Sequence, residues 1–368
     1  MFNAEVEVLG SALSIKGIKV TSDQQLLVYG ISYFVYGLGG FLSLPVYNQG
    51  YIYYVVTADI RGEFLVIGVY PNTCVNIMLR ITKSHINYNN IRYANGSTIT
   101  EILNEYHTMQ IYSGGDFTGS EIRSSKPVSV FSGSRKYKSD FLVDQLPPIK
   151  SWGKKYITVP PHGFQYDCKV MSGFPNTVVN YTCAANTEEY IELREAGSFQ
   201  TLDFNTSKCL LISNEPILIT IIVSLMDGEP AMITMPPLKE VVGELMVYVS
   251  DMVTAAQLVL VTNANITVDP TGPPSSTHID CPEHLKFCIM NMENLICNQT
   301  YSISSEKERF AISGYVHGTR YGVKNGTPRI NAALGYPIVH HASQVSILLN
   351  FVNYQIFSPR RYIANRIY

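Results

Sequence analysis

Tyr70-Pro-Asn-Thr-Cys-Val-Asn76 returns as Phe174-Pro-Asn-Thr-Val-Val-Asn180, and it does not return alone. Leu44-Pro45, followed by Gly50 and Tyr53, comes back as Pro147-Pro148, Gly153 and Tyr156. With one residue inserted it comes back again as Pro236-Pro237 and Gly243. Ser124-Ser-Lys-Pro-Val-Ser-Val-Phe131 has counterparts at Ser213-Asn-Glu-Pro-Ile-Leu-Ile219 and Ser22-Asp-Gln-Gln-Leu-Leu-Val-Tyr29, and a weaker one at Ser304–Ile312. Landmarks of different composition keep one order and a period of roughly 90–100 residues, the mark of a chain built from tandem units. On this spacing residues 1–40 are the end of a truncated first repeat, 41–140 the second, 141–230 the third and 231–322 the fourth. Residues 323–368 are C-terminal strands or a tail.

Within a unit the pattern is strand-like. Tyr51–Ala58, Glu63–Tyr70, Val75–Thr82, Thr108–Ser113 and Pro127–Ser134 are short runs of β-branched and aromatic residues bounded by Gly, Pro and Asn. Several alternate apolar with polar, as a half-buried strand does. Pro127 and Pro216 read as strand openers, where proline is permitted. A short helix is expected only around Ser97–Tyr106, and a turn at Pro282–Phe287. The chain is therefore expected to be all-β, with each repeat a β-sandwich-like unit and a propeller-like circular arrangement as the alternative.

The longest apolar runs, such as Pro216–Met226, fall far short of the ~20 residues of a spanning helix, so no membrane span is expected. With 27 Lys and Arg spread thinly against 29 Asp and Glu, there is no basic field to hold nucleic acid. Asn-x-Ser/Thr occurs at Asn95, Asn180, Asn205, Asn265, Asn298 and Asn325. The first five are expected glycosylation sites, whereas Pro328 makes Asn325 a poor acceptor. Seven cysteines lie mostly in the second half. A hairpin symmetric about Pro175-Asn176 would set Cys168 opposite Cys183, ~4.5 Å apart at Cα and within disulfide reach. Two separate buried thiols are the alternative. A disulfide and sequons point to an extracellular, secreted protein. The N-terminus has neither a basic start nor an apolar stretch of signal-peptide type, so that reading expects a truncated N-terminus.

Signatures of catalysis are missing: there is no Gly-x-Ser-x-Gly elbow, phosphate loop or His-Glu-x-x-His. Gly37-Leu-Gly-Gly40 leads into Phe-Leu-Ser-Leu and reads as a turn. His278-x2-Cys281-x2-His284-x3-Cys288 places four N/S ligands at a spacing a zinc ion accepts. Against it stands a disulfide-bearing loop, with Cys281–Cys288 as the pair and Cys297 or Cys209 as other partners. Cys74, whose repeat counterpart is Val178, is left as the odd cysteine. His340-His341 and the Asp140, Asp144 pair have no third group at readable spacing and read as solvated loop residues. No enzymatic activity and no cofactor are expected. The tyrosines of Tyr47–Tyr54 fit either a sheet face or a binding face, where Tyr gives broad contact at low entropy cost.

Gly37-x2-Gly40-Phe-Leu-Ser-Leu-Pro-Val46, then Tyr51–Val56, Phe64-Leu-Val-Ile67 and Gly114–Gly133, resemble the IgGFc-binding protein N-terminal domain family. The strongest stretch is Asp144-Gln-Leu-Pro-Pro-Ile-Lys-Ser-Trp-Gly153 leading into Tyr156-Ile-Thr-Val159. The resemblance runs from about Lys16 to about Arg320. It implies a secreted, mucus-associated or adhesive module that recognises a protein or glycan at a mucosal or body surface. The Fc of IgG enters as a partner by that resemblance alone, and no binding residue is carried over. Ser134–Phe141 has no cysteine where the family pattern has one, which puts the family's disulfide scheme in doubt. An extracellular carbohydrate-active or zinc-dependent enzyme and a structural spacer are the alternatives from other classes.

Overall fold

The structure is a computed structural model describing residues 10–23, 26–34, 37–83, 85–137, 140–183, 187–225, 229–270, 277–324, 327–338, 345–349 and 354–357. Two compact units are present, one of residues 1–151 with 342–368, the other of residues 152–341.

The first unit opens with Ala12–Ile15 (β1), Ile18–Ser22 (β2), Leu27–Phe34 (β3) and Gly37–Leu42 (β4). Gly50–Tyr54 (β5), Gly62–Gly68 (β6), Thr73–Met78 (β7), Ile86–Tyr88 (β8) and Ile91–Tyr93 (β9) follow. Thr98–Leu103 (β10), His107–Tyr112 (β11), Glu121–Tyr137 (β12) and Asp140–Gln145 (β13) come next. The second unit begins with Gly153–Thr158 (β14), Gln165–Ser172 (β15), Thr177–Thr182 (β16), Glu188–Leu193 (β17) and Phe199–Asn205 (β18). Cys209–Ser224 (β19), Ala231–Thr234 (β20), Lys239–Val242 (β21), Leu245–Val249 (β22) and Ala255–Thr262 (β23) continue it. It ends with Ile266–Asp269 (β24), Thr277–Asp280 (β25), Cys288–Met292 (β26), Gln299–Ser305 (β27), Arg309–Lys324 (β28) and Thr327–Pro337 (β29). Val345–Leu349 (β30) and Tyr354–Phe357 (β31) belong to the first unit again.

Three long strands organise this order. β12, β19 and β28 have 17, 16 and 16 residues. The first part of each pairs with a short strand, β5, β14 or β21. The rest pairs with β6, β15 or β23 and with a return strand, β13, β20 or β29. The handover falls on Val128, Ile217 and Ile312, each of which pairs with both neighbours, for example Val128 with Gly50 and Gly68. The register of β5 on β12 slips between Arg123 and Val128, and that of β14 on β19 slips between Ile212 and Ile217.

Pro127 and Pro216 therefore do not open their strands; they lie inside them, one residue before the handover. Proline is tolerated there because the ladder is already interrupted, and a bulge bends the strand between two sets of partners. The helix expected over Ser97–Tyr106 is also corrected. Its core is β10, antiparallel to β7 from Thr98 opposite Met78 to Leu103 opposite Thr73. Ile99 and Leu103 are buried while Thr98, Thr100 and Ile102 are exposed. A spacing of four fits one face of either a helix or a strand, and the available partner strand decides.

The chain ends repeat the scheme. β2 pairs with β30, and β3 pairs with β31 and with its own return strand β4. β2 and β3 thus each find a partner among the C-terminal strands, whereas β1 pairs with β11. A single backbone hydrogen bond closes each copy of the scheme: Ser43 N to Val28 O, Leu146 N to Val130 O, Met235 N to Ile219 O and Ile338 N to Gly314 O, all 2.8–2.9 Å.

Two of the three recurring glycines have a packing cause, whereas Gly243 faces open space at a φ of 85°. A Cβ on Gly50 would stand 2.5 Å from Pro148 Cβ, and one on Gly153 would stand 2.3 Å from Pro237 Cβ. The proline of each Pro-Pro landmark lies on the glycine of the copy before. Each unit holds an apolar cluster of buried side chains. Ile18, Val28, Phe41, Ile67 and Phe131 cluster in the first, with the Phe41 and Phe131 rings edge to face at 4.9 Å. Tyr156, Ile219, Val259 and Tyr315 share one cluster in the second. Each such side chain contributes roughly 1.5–3 kcal/mol by leaving water.

Candidate functional site

The turn that marks the repeat is also a display element. Asn72 and Asn176 take φ of 53° and 55°, the left-handed region that asparagine tolerates better than most residues. Thr73 Oγ1 donates to Tyr70 O, and Thr177 Oγ1 donates to Phe174 O, both at 2.7 Å. Behind the turn, Cys74 N donates to Ser125 Oγ at 2.9 Å and Val178 N donates to Asn214 Oδ1 at 2.7 Å. Asn214 Nδ2 also donates to Asn176 O. Ser125 and Asn214 hold equivalent places, each two residues before the proline of its long strand. Each turn is pinned from two sides and presents one aromatic ring, Tyr70 at 41% exposure and Phe174 at 39%. The sequence carries the signal, since an aromatic precedes Pro-Asn-Thr both times, but apolarity alone does not tell exposed from buried.

The tyrosines of 47–54 divide. Tyr47 and Tyr51 are about half exposed, at 53% and 51%. Tyr53 and Tyr54 are buried: Tyr53 Oη bridges two backbone groups, and Tyr54 Oη donates to Glu121 Oε1 at 2.8 Å. Burial pushes the Glu121 carboxyl up, but hydrogen bonds from Arg123 and Tyr54 hold it below its usual range. Half of this segment is therefore architecture.

The cysteines correct one expectation. Cys183 is bonded to Cys209, and Cys281 to Cys288. Cys168 is a buried free thiol whose ionisation is pushed up by burial and by Asp167. The symmetric hairpin fails because β15 and β16 do not pair with each other; both flank β19. Cys168 lies opposite Ile221 and Leu202, whereas Thr182 lies opposite Leu210. One step further along that ladder Cys183 meets Cys209, with Cα atoms 4.3 Å apart. Cys74 and Cys297 are free, half-buried thiols.

The zinc-spaced quartet His278, Cys281, His284 and Cys288 is not assembled. Its two sulfurs are joined to each other, and His284 Nε2 lies 3.5 Å from Lys208 O. His278, on β25, instead stands beside His162 and Glu293. His162 Nδ1 is 2.7 Å, and His278 Nε2 3.4 Å, from Glu293 Oε1. Asn95, Asn180, Asn205, Asn265 and Asn298 are all exposed. Asn95 Oδ1 accepts from Ile81 N, and Asn298 Oδ1 accepts from the Tyr248 hydroxyl. Asp140 starts β13, and Asp144 is buried within it with Oδ1 accepting from Gln145 N. Asn325 and His340-His341 lie outside the described residues.

The strongest shifts of ionisation belong to interior groups. Burial raises Tyr53, Tyr156, Tyr166 and Tyr315, so their hydroxyls stay neutral and act as hydrogen-bond donors. Burial pushes His317 down to about 3.

The sequence profile of the IgGFc binding protein family matches residues 39–320. The chain belongs to this family. The matched span takes in both aromatic turns, all three handover residues and the His162, His278, Glu293 cluster. The human IgGFc-binding protein is 27% identical over 164 residues, 42% of this chain. That alignment covers 3% of the human protein, so the chain corresponds to a small part of its relative. Family membership supports a binding module of non-enzymatic kind. Among the described residues no helix is long and apolar enough to cross a membrane.

Proposed function

We propose that this chain is a non-catalytic extracellular binding and adhesion module that recognises a protein or glycan at a mucosal or body surface. The observation that carries the reading is the pair of pinned turns presenting Tyr70 and Phe174 at equivalent places. An exposed aromatic on a pinned turn gives broad contact at a reduced ordering cost on binding. The repeats, taken as 41–140, 141–230 and 231–322 with 1–40 and 323–368 as the ends, are the frame that holds such turns. Two disulfides and five exposed sequon asparagines fit a secreted, glycosylated protein. Recognition of the Fc of IgG, which names the human relative, is one form of this activity.

The experiment is a binding panel with the oxidised, glycosylated chain immobilised. The probes are the Fc fragment of IgG, mucin O-glycans and a soluble extract of mucosal surface. Saturable binding of at least one probe, retained in the presence of chelator, is expected. Turnover of a mucin glycan with no stable retention would contradict the reading.

A further inference from the structure

We propose that His162, His278 and Glu293 form a binding site for a divalent transition-metal ion, with Zn(II) the best fit. The three come from separated places in one compact unit: the Pro160–Phe164 loop after β14, strand β25, and the residue following β26. Their candidate ligand atoms all lie within 4.8 Å of one another. Glu293 Oε1 is the focus, 2.7 Å from His162 Nδ1 and 3.4 Å from His278 Nε2. Tetrahedral zinc with ligands at 2.0–2.2 Å holds its donors roughly 3.3–3.5 Å apart, so small rotations of two exposed rings complete the geometry.

The carboxylate oxygen supplies an independent reason. Glu293 as a side chain is 19% exposed, yet Oε1 itself is shut off from solvent and accepts no hydrogen bond. It faces two ring nitrogens without an aligned N–H. A cation between them would satisfy all three atoms at once. Support behind the ligands is also built. His162 N donates to Gln257 Oε1 at 2.8 Å, and Gln257 Nε2 donates back to His162 O at 2.9 Å. Both bonds fix the loop that carries His162 against the central strand β23. Two imidazoles and one carboxylate favour zinc and its late first-row neighbours over calcium or magnesium. Both histidines are exposed, which leaves a coordination position open to water. The bound ion would tie the loop to the β25–β26 hairpin.

The test uses the full oxidised chain without a histidine tag. Zn(II) is titrated by calorimetry, and Co(II) is read by its visible absorption. One equivalent is expected, removable by EDTA. His162→Ala, His278→Ala and Glu293→Gln each remove a ligand and should weaken uptake by about tenfold or more. The double variant His340→Ala/His341→Ala should bind as the unchanged chain does. Near-ultraviolet circular dichroism in EDTA checks that each variant is folded. Uptake well below one equivalent by the intact chain overturns the proposal. So does equal uptake by folded His278→Ala, or loss confined to the 340, 341 variant.

Discussion

Tyr156 occupies on β14 the place that Tyr53 occupies on β5. Tyr53 Oη accepts from Gly50 N at 2.8 Å and donates to Val128 O at 2.6 Å. Tyr156 Oη accepts from Gly153 N at 3.0 Å and donates to Ile217 O at 2.7 Å. Each hydroxyl closes the handover residue of the long strand onto the short strand beside it. Removing it takes two hydrogen bonds from the handover, one of them to a buried carbonyl. Tyr53→Phe and Tyr156→Phe should each lower unfolding free energy by about 1–3 kcal/mol. Tyr51→Phe, at an exposed position, should stay within about 0.5 kcal/mol. Urea denaturation of the three variants checks this, and equal curves for Tyr156→Phe and Tyr51→Phe would contradict it.

The two disulfides should differ in worth. The Cys183–Cys209 link spans 26 residues and Cys281–Cys288 spans 7. On loop-closure entropy these correspond to about 3.5 and about 2.4 kcal/mol. Cys183→Ser/Cys209→Ser should therefore destabilise more than Cys281→Ser/Cys288→Ser. Cys168 should resist alkylation until the chain unfolds, because its thiol is buried and its ionisation is pushed up. Non-reducing peptide mapping that joins Cys168 to Cys183 would contradict the structure.

Acid should weaken the second unit through His317. Its ring is buried, packs edge-on against Phe164 at 4.5 Å, and has an Nε2 without a hydrogen-bond partner. Unfolded, it takes a proton near its ordinary value of about 6.5. Folded, it does so only at about 3. Between these values the unfolded state binds more protons, so stability is lost as pH falls from 6.5 toward 3, by up to about 1.4 kcal/mol per unit. His317→Leu should flatten that limb in thermal melts between pH 6.5 and pH 4. A variant that retains the full slope would place its origin elsewhere.

Asn72 and Asn176 hold their turns in the left-handed region. Asn72→Ala and Asn176→Ala should each cost about 1–2 kcal/mol, and glycine at either position should be tolerated. A melt in which alanine and glycine behave alike would argue against the turn geometry.

Much of the fold is legible in the order of residues alone. Val, Ile and Tyr runs broken by Pro, Gly and Asn announce strands, and the Pro-Asn-Thr and Pro-Pro landmarks announce repeats. The reason those landmarks recur is not legible there, since Pro148 on Gly50 and Pro237 on Gly153 are packing relations between residues far apart along the chain. Cys168 shows the same limit. Local symmetry about a turn predicts a hairpin, but β15 and β16 are separated by β19, which enters the chain only after β17 and β18. His278 stands out by its neighbours in sequence, whereas its neighbours in space are His162 and Glu293. Pro127 and Pro216 mislead because a proline inside a strand requires a bulge, and a bulge exists only in relation to a partner.

The most direct test of the binding account compares the unchanged chain with Tyr70→Ser/Phe174→Ser by equilibrium interferometry. The ligand is whichever of Fc or mucin glycan the unchanged chain retains. Loss of two exposed aromatic anchors should weaken binding about tenfold or more while the melting temperature stays the same. Undiminished affinity in a folded double variant would contradict recognition by the repeated turns.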